Sequence, residues 1–423
     1  MFKLHLSQLK LMKKIINLLF GLTVLSLILS FIFGEDSLGG AKHDYFFHEK
    51  FINLFSVDFK NTILLYGTEY TARNSPVFYI ILSYFYKAGL SISLIKYLNF
   101  LAIIFLFHGF YISLKTRYKN INYTSLILLI TVIFLSPTVR SLLIWPYAFI
   151  WALIFFLYSI NSYLKFNNTN NTQEKLKFAI KNIFFIALAS YFTPNFAIFS
   201  LYFFLNYFKF FRLTKNIIII VILNFILAMP ALIYYHMTDY YILNNNYPFP
   251  GLNLNFSNKI IIISSLIFFY FLPFFEFKEL KYNIKNYNFN YKIILVLFFA
   301  AINIIFFNFL RGTGGGIFFH LSNILLDNSV IIFFIFILFL LLFNILNYIN
   351  LNNAILFFVL IIYNMQYTIY HKYFDPLLLF VFLFLFNFNK KKDNAKLLNI
   401  SIKNFILYFG FLLMSFGKNF INY

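Results

Sequence analysis

Six of the thirteen acidic side chains of this 423-residue chain lie in one stretch, from Gly34 to Pro76. A carboxylate that is held in place can accept a proton from a hydroxyl group, acting as a general base. The same stretch contains two histidines and Arg73, so it is the candidate site for chemistry. Its acids are Glu35, Asp36, Asp44, Glu49, Asp58 and Glu69.

Asp44 and His48 are four residues apart, a spacing that places two side chains on one face of a helix. His48 could therefore orient the Asp44 carboxylate or help to bind a metal ion, although a lone histidine more often faces solvent. The simpler interpretation of Asp36 and Asp44 is likewise a solvated side chain at the membrane surface. Two acids and two histidines are not a metal signature, so we predict no metal ligands and leave a divalent cation open as a cofactor.

The elements that must position these residues are apolar helices. The chain is 61% hydrophobic and 11% charged, with a mean hydropathy of +0.79, whereas about a quarter of the residues in soluble domains are charged. We therefore predict an all-α polytopic membrane protein. Cysteine is absent, which excludes disulfides, thiolate metal sites and thiol nucleophiles.

A spanning helix needs about 20 apolar residues, and on this criterion we predict about 11–13 transmembrane helices. The first apolar run, Ile15 to Phe33, follows three lysines but has no small-residue cleavage site, so we interpret it as an anchor rather than a signal peptide. The positive-inside rule favours a tight hairpin at Thr193-Pro194-Asn195 over one kinked helix. The expected spans lie near residues 15–33, 97–114, 121–135, 142–164, 182–193, 196–208, 216–235, 260–275, 293–310, 329–346, 354–370, 376–388 and 402–416.

The charges predict an orientation for these spans. With the amino terminus in the cytoplasm, 23 of the 34 Lys and Arg residues fall on the inner side, and six of the other 11 lie in the long first loop. The positive-inside rule favours this arrangement. The net charge of +21 is therefore a topology signal, and we predict membrane lipid rather than nucleic acid as a partner. A bacterial inner (plasma) membrane is the expected location.

In this orientation the first loop, residues 34–96, lies outside and holds six of the thirteen acids. Its segment Pro76 to Gly89 has an apolar core of about ten residues, too short to span a bilayer, and is typical of a re-entrant or interfacial helix. We see no repeat and no separate soluble domain, and we expect residues 1–423 to form a single transmembrane domain.

Three basic residues at other expected outer helix ends are candidates for binding an anion. Arg140 follows Ser136-Pro137, where a charge is costly unless it faces a cavity or a partner; it could bind phosphate or sugar, or extend to the headgroups. Arg311 precedes a glycine run that we interpret as a flexible loop rather than a phosphate nest. Lys372, beside His371, is a second candidate for a lipid phosphate. We assign Trp145 to the interfacial aromatic belt.

The order of these features resembles the GT-C superfamily of membrane glycosyltransferases, including protein O-mannosyltransferases and bacterial envelope enzymes. The resemblance lies in one helix, a long outer loop with early acids, the segment Asn74-Ser75-Pro76 before an apolar helix that contains Tyr79, and a span that ends in Ser136-Pro137 with Arg140 close behind. It covers about the first 165 residues.

The resemblance implies that a sugar passes, with inversion, from a polyprenyl-phosphate donor to a lipid or glycan acceptor on the outer face. It further implies that an early acid of the loop is the catalytic base. We prefer Asp44 to Asp36, because Asp36 abuts the helix end, whereas Asp44 follows Gly39-Gly40, which let the backbone turn back over the site. The implied substrate-binding residues are Glu35, His48, Arg73, Arg140, Arg311 and Lys372.

Two other classes of function remain open. A polysaccharide polymerase or ligase of the cell envelope also has many spans, but such enzymes usually place their site in a large late loop, whereas here the largest loop follows the first span. A lipid or solute transporter or flippase would place paired ionisable groups and broken helices near the middle of the membrane. The predicted spans are almost free of charge, which favours chemistry at the surface.

Overall fold

The computed structural model describes residues 2–37, 40–67, 69–70, 74–238, 255–285, 291–310, 312, 314–388 and 394–421. Within these ranges the chain is helical and forms no strand, apart from an isolated bridge between Gly314 and Ile369. Among the described residues, six helices are long and apolar enough to cross a membrane, or seven if one bent pair is counted as a single span. The prediction of an all-α polytopic membrane protein is confirmed.

The chain divides into two compact units. Unit 1 comprises residues 1–197, 206–239 and 392–423, and unit 2 comprises residues 198–205 and 240–391. One helix, α11 (Phe199–Phe211), is divided between them. The helices of unit 1 are α1 (Phe2–Phe33), α2 (Ala41–Val57), α3 (Phe59–Leu65), α4 (Val77–Lys87), α5 (Ile92–Phe100), α6 (Ala102–Arg117), α7 (Tyr123–Leu135), α8 (Pro137–Ile144), α9 (Ala148–Asn168), α10 (Thr172–Phe192), α12 (Lys215–Thr238) and α20 (Asn394–Ile421).

Unit 2 is built around α13, which packs against α15, α16, α17 and α18. In the apolar stretch Phe256–Phe274, which begins with α13, 78% of the residues are buried. In Lys215–His236 of α12, the buried share is 11%. Most side chains of α12 are therefore exposed, and they are as apolar as those of a helix that faces lipid. The helices of unit 2 are α13 (Phe256–Phe271), α14 (Phe277–Lys285), α15 (Tyr291–Ile305), α16 (Gly316–Leu326), α17 (Val330–Ile345), α18 (Leu351–Tyr363) and α19 (Leu377–Phe380), with a π-helical turn at Val381–Leu385.

Fewer helices reach spanning length than the sequence predicted. Several of the expected spans fold as shorter helices, and α17, for example, has 16 residues. At 1.5 Å per residue this helix is about 24 Å long, whereas the hydrocarbon core is about 30 Å thick. Hydropathy marks apolar residues in the turns as well as those in the helices, so it overestimates the length of each span.

The start of α10 also differs from the prediction, which placed a span at 182–193. The helix begins ten residues earlier because Asn171 caps it, its Oδ1 accepting hydrogen bonds from the backbone N–H groups of Gln173 and Glu174 at 2.9 and 3.3 Å. The predicted break after this helix is present, since α10 ends at Phe192 and a 3₁₀ turn covers Pro194–Ile198.

The first loop contains three helices of its own, α2, α3 and α4. The predicted short helix after Pro76 is α4, and it packs against α2 through buried side chains that include Phe78 and Tyr79. The Ser75 hydroxyl accepts a hydrogen bond from the backbone N–H of Val77 at 3.4 Å. This half-buried helical layer, rather than an open loop, is what carries the candidate acids.

The segment after Ser136-Pro137 is not the loop that the sequence predicted. It forms α8, which bends by 60° from α7, and every residue from Pro137 to Ile144 is buried. Ser136 caps α8 by accepting a hydrogen bond from the backbone N–H of Val139 at 3.1 Å, and proline suits the first position of a helix. The prediction was wrong because proline and a charged residue are loop signals, whereas here proline starts a second, buried helix.

In the glycine run that follows Arg311, Gly314 and Gly315 are held in place by the backbone of Ile369 rather than flexible. The backbone N–H of Gly315 donates to the carbonyl of Ile369 at 2.9 Å, and a Cβ on Gly314 would collide with that same carbonyl. Gly314 also has a φ of +106°, which side-chain-bearing residues rarely adopt. Glycine is therefore required at this position by both conformation and space.

We expect Gly314→Ala to lower the free energy of unfolding by about 3 kcal/mol or more, since strain at positive φ and overpacking each cost about 1–3 kcal/mol. Gly312→Ala is the matched control, because Gly312 also has a positive φ (+89°) but a Cβ there would meet nothing within 4 Å. Equilibrium unfolding in detergent would measure both values. Equal losses in the two variants would contradict the collision with Ile369.

Candidate functional site

The candidate residues of unit 1 meet around an ion pair between Arg140 of α8 and Glu35, just beyond α1. Arg140 Nη2 lies 2.7 Å from Glu35 Oε2, and Arg140 Nε lies 3.0 Å from Glu35 Oε1. The contact is therefore bidentate, a geometry that the planar guanidinium favours. Only 2% of the Arg140 side chain and 9% of the Glu35 side chain are exposed.

The other N–H groups of Arg140 are also occupied. Nη1 donates to the Ser26 hydroxyl at 3.1 Å and to the Phe134 carbonyl at 3.3 Å, and Nη2 contacts the Ser26 carbonyl at 3.3 Å and the Ser30 hydroxyl. All five donors of the guanidinium thus have an acceptor. The interpretation that Arg140 extends to the headgroups is wrong, because its side chain is buried. Phosphate binding by Arg140 stays a prediction, and it would require these contacts to open.

Two opposing effects act on the Glu35 carboxyl group. Burial raises its pKa, but the hydrogen bond and charge of Arg140, together with the hydroxyls of Ser30 and Ser37, outweigh burial and hold the pKa below its ordinary value of 4.5. Glu35 is therefore ionised at neutral pH. A carboxylate already paired with a guanidinium is a poor general base, so Glu35 is better suited to fixing the loop in place.

Asp36 organises the start of α2. Its carboxylate accepts hydrogen bonds from the backbone N–H groups of Gly40 at 2.7 Å, Ala41 at 3.2 Å and Lys42 at 3.1 Å. These are among the N–H groups that a helix leaves unpaired at its first turn. Asp36 thus has a structural task that explains an acid at this position.

Asp44 lies half-buried in the first turn of α2, where the positive end of the helix dipole stabilises a negative side chain. His48 is one turn further along and is buried. The His48 ring stacks on Tyr79 with centroids 5.0 Å apart, and Nε2 lies 3.0 Å from the Asn74 amide nitrogen. The fold therefore ties His48 to the segment just before α4, and its predicted role in substrate binding stays a prediction.

Trp145, which the sequence analysis assigned to the interfacial belt, is buried at the end of α8 with 7% of its surface exposed. Its indole N–H donates to the Glu35 carbonyl at 3.0 Å. The ammonium group of Lys96 lies 4.7 Å from the centroids of both Trp145 and Tyr45. Lys96 and Tyr45 were not predicted as site residues from the sequence, and the one signal for Trp145 was its position five residues after Arg140.

Unit 2 holds Lys372, whose ammonium group lies 5.6 Å from the Tyr370 ring and 5.9 Å from the Tyr373 ring. In the neighbouring His371, the Nε2 atom lies 2.6 Å from the hydroxyl oxygen of Tyr270. Burial, with a smaller contribution from the charge of His320, lowers the pKa of His371 to about 3. His371 is thus neutral at neutral pH, and Lys372 carries the positive charge of this pair. The candidates Arg73 and Arg311 lie outside the described residues.

Comparison of the chain with family models, with curated proteins and with solved structures gives no match. Within the described ranges, no three His, Asp or Glu side chains lie together as metal ligands would. Unit 1 instead presents the acid Asp44 on a helix whose start is fixed by Asp36 and by the Glu35–Arg140 pair. Such an arrangement can hold a carboxylate at the end of a membrane helix and offer it to a hydroxyl group.

Proposed function

We propose that this protein is a membrane glycosyltransferase that transfers a sugar from a polyprenyl-phosphate donor to a lipid or glycan acceptor. The observation that carries the proposal is the position of Asp44, half-buried in the first turn of a helix that directly follows membrane helix α1. The resemblance of the first 165 residues to the GT-C superfamily adds to it. We further propose a bacterial inner membrane with a cytoplasmic amino terminus, so that Asp44 faces outward.

In the proposed reaction, the acceptor hydroxyl attacks the anomeric carbon of the sugar. The bond from that carbon to the phosphate oxygen breaks, a bond to the acceptor oxygen forms, and Asp44 takes the acceptor proton. The lipid phosphate leaves as an anion and is stabilised by nearby cations. Attack from the face opposite the phosphate inverts the configuration of the sugar.

A transporter or flippase is the second candidate, and one observation favours it. The helices α7 and α8 form a broken pair bent by 60°, with buried Arg140 in the second half, and transporters use broken helices near their binding sites. Since the donors of Arg140 are all occupied by protein groups, this break resembles a fixed joint more than a binding site. We therefore place transport second.

The test is transfer of labelled sugar in proteoliposomes from a panel of polyprenyl-phosphate sugars, with mixed envelope lipids and glycans as acceptors. The proposal predicts that one donor turns over and that the label appears covalently on an acceptor. A parallel arm follows movement of the labelled donor across the bilayer. Movement of intact donor without any transfer would overturn the glycosyltransferase proposal in favour of the transporter.

A further inference from the structure

Two lysines from different helices converge on one indole ring. Lys42, in the first turn of α2, places Nζ 5.6 Å from the Trp145 centroid, and Lys96, on α5, places Nζ 4.7 Å from the same centroid. Each contact is within cation–π distance. The two ammonium groups repel each other, and a negative charge close to both would relieve this repulsion.

The ring system beneath Lys96 is extensive. Its ammonium group is also 4.7 Å from the Tyr45 ring and 5.8 Å from the Phe46 ring. The Trp145 ring lies 5.9 Å from each of these two rings. Trp145 is in turn fixed by its hydrogen bond to the Glu35 carbonyl, so the lysines lie against a rigid aromatic surface.

The protein only partly neutralises the two ammonium groups of Lys42 and Lys96. Glu49 attracts Lys96 electrostatically, but among the described residues neither Lys42 Nζ nor Lys96 Nζ makes a hydrogen bond or has a carboxylate oxygen within 4.0 Å. Each ammonium group has three N–H donors. The two side chains therefore offer six donors and two positive charges, while Glu49 acts on Lys96 at longer range and the Asp36 carboxylate accepts from the backbone N–H of Lys42.

Tyr45, whose ring lies beneath Lys96, also carries a buried hydroxyl donor. Tyr45 is 1% exposed, and its hydroxyl has no hydrogen-bond partner among the described residues. Burial, helped by the charge of Glu49, raises the pKa of Tyr45, so the hydroxyl keeps its proton at all working pH values. A buried donor without an acceptor costs free energy unless a ligand or water supplies the acceptor.

We propose that Lys42 and Lys96, over the Trp145 ring, bind an oxyanion of the phosphate class. An oxyanion between the two ammonium groups removes their repulsion and accepts charge-assisted hydrogen bonds from both. The ligand is either a phosphate on a lipid headgroup or free phosphate, which share this chemistry. Lys42 is two residues before Asp44 in α2, a spacing that does not place two side chains on one face of a helix, so this inference is independent of the role proposed for Asp44.

The test uses Trp145 as its own reporter, because the chain has only two tryptophans. In a Trp151→Phe background, Trp145 emission is followed in neutral detergent during titration with inorganic phosphate and, separately, with dodecyl phosphate. We expect a saturable change that chloride at equal ionic strength does not produce. A response to dodecyl phosphate alone identifies a lipid headgroup, and equal responses to both identify free phosphate.

Variants at the lysines decide whether the response belongs to this site. Lys42→Gln and Lys96→Gln are each expected to weaken binding at least about tenfold, since each removes a charged hydrogen-bond donor, and Lys96→Arg is expected to retain binding. Lys50→Gln is the matched control, because Lys50 is on the same helix but lies over Phe47 and Phe51. No saturable change, or an equal loss in Lys50→Gln, would overturn the proposal.

Thermal stabilisation by the same two ligands provides a second readout, which needs no tryptophan substitution.

Asp44→Asn separates this inference from the proposed function, because it is expected to keep phosphate binding and lose transfer. If the protein binds phosphate but transfers no sugar, the site stands and the glycosyltransferase proposal falls. If sugar is transferred but neither lysine variant changes phosphate binding, the site falls and the glycosyltransferase proposal stands.

Discussion

Arg140→Met is expected to lower the free energy of unfolding by about 3–5 kcal/mol, because it leaves the Glu35 carboxylate buried without its partner. Methionine fills much of the space of arginine but cannot donate to Glu35, Ser26 or the Phe134 carbonyl. Equilibrium unfolding in mixed detergent micelles would measure the loss. Arg117→Met is the matched control, since Arg117 is exposed at the end of α6.

The double variant Glu35→Gln/Arg140→Met distinguishes an unpaired charge from lost packing. When both charges are removed, the penalty of an isolated buried ion disappears, and we expect the double variant to be more stable than Arg140→Met alone. A single-variant loss below about 1 kcal/mol, typical of exposed ion pairs, would contradict a buried, fully paired Arg140.

The same pair makes stability depend on pH. The pKa of Glu35 in the folded protein lies below its ordinary value of 4.5, so its ionisation contributes stability that is present above about pH 4.5 and is lost as the pH falls through the folded-state pKa. We therefore expect the stability difference between the native chain and Glu35→Gln to shrink on acidification. Unfolding curves between about pH 3 and pH 7 would show it, and a difference that stays constant would contradict the lowered pKa.

Asp44→Asn is expected to lower the rate of sugar transfer at least about a hundredfold, the effect of removing a general base. Asparagine has nearly the same shape as aspartate but cannot accept the proton. The melting temperature of Asp44→Asn is measured alongside the rate, so that a loss of folding is distinguished from the loss of the base. The measurement is single-turnover transfer from the donor identified in proteoliposomes.

Asp36→Asn separates a structural acid from a catalytic one. Asp36 accepts three backbone hydrogen bonds at the start of α2, and asparagine is also a good capping residue, so we expect a loss of stability of about 1 kcal/mol or less and a modest loss of rate. Asp58→Asn is the control, since Asp58 caps α3 in the same loop. If Asp36→Asn abolishes transfer while Asp44→Asn does not, the assignment of the base to Asp44 is wrong.

Local signals in the sequence predicted some of the helix boundaries of this fold. Pro76 marked the start of α4, and the apolar run to Phe33 marked the end of α1. The cap of α10 also has a local signal, because Asn171 is followed three residues later by Glu174. The charged residues around this cap were nevertheless interpreted as a loop. Capping residues extend a helix into polar sequence, and a hydropathy window cannot detect this.

The centre of the site could not be predicted in the same way. Glu35 and Arg140 are separated by 105 positions, and no periodicity connects them. The convergence of Lys42 and Lys96 on Trp145 likewise depends on how α2, α5 and α8 pack together. Sequence patterns identify which residues are costly to bury, as they did for Arg140. The partner that offsets this free-energy cost depends on tertiary packing, which the patterns do not show.

The distance along the chain between Glu35 and Arg140 also sets an order of events during biosynthesis. A ribosome that adds about 5–20 residues per second needs roughly 5–20 s to make the 105 positions that separate them. During that interval Glu35 lacks the guanidinium of Arg140, with which it pairs in the folded protein. The contact that fixes Glu35, just before Asp36 and Asp44, can therefore form only after α8 has been synthesised.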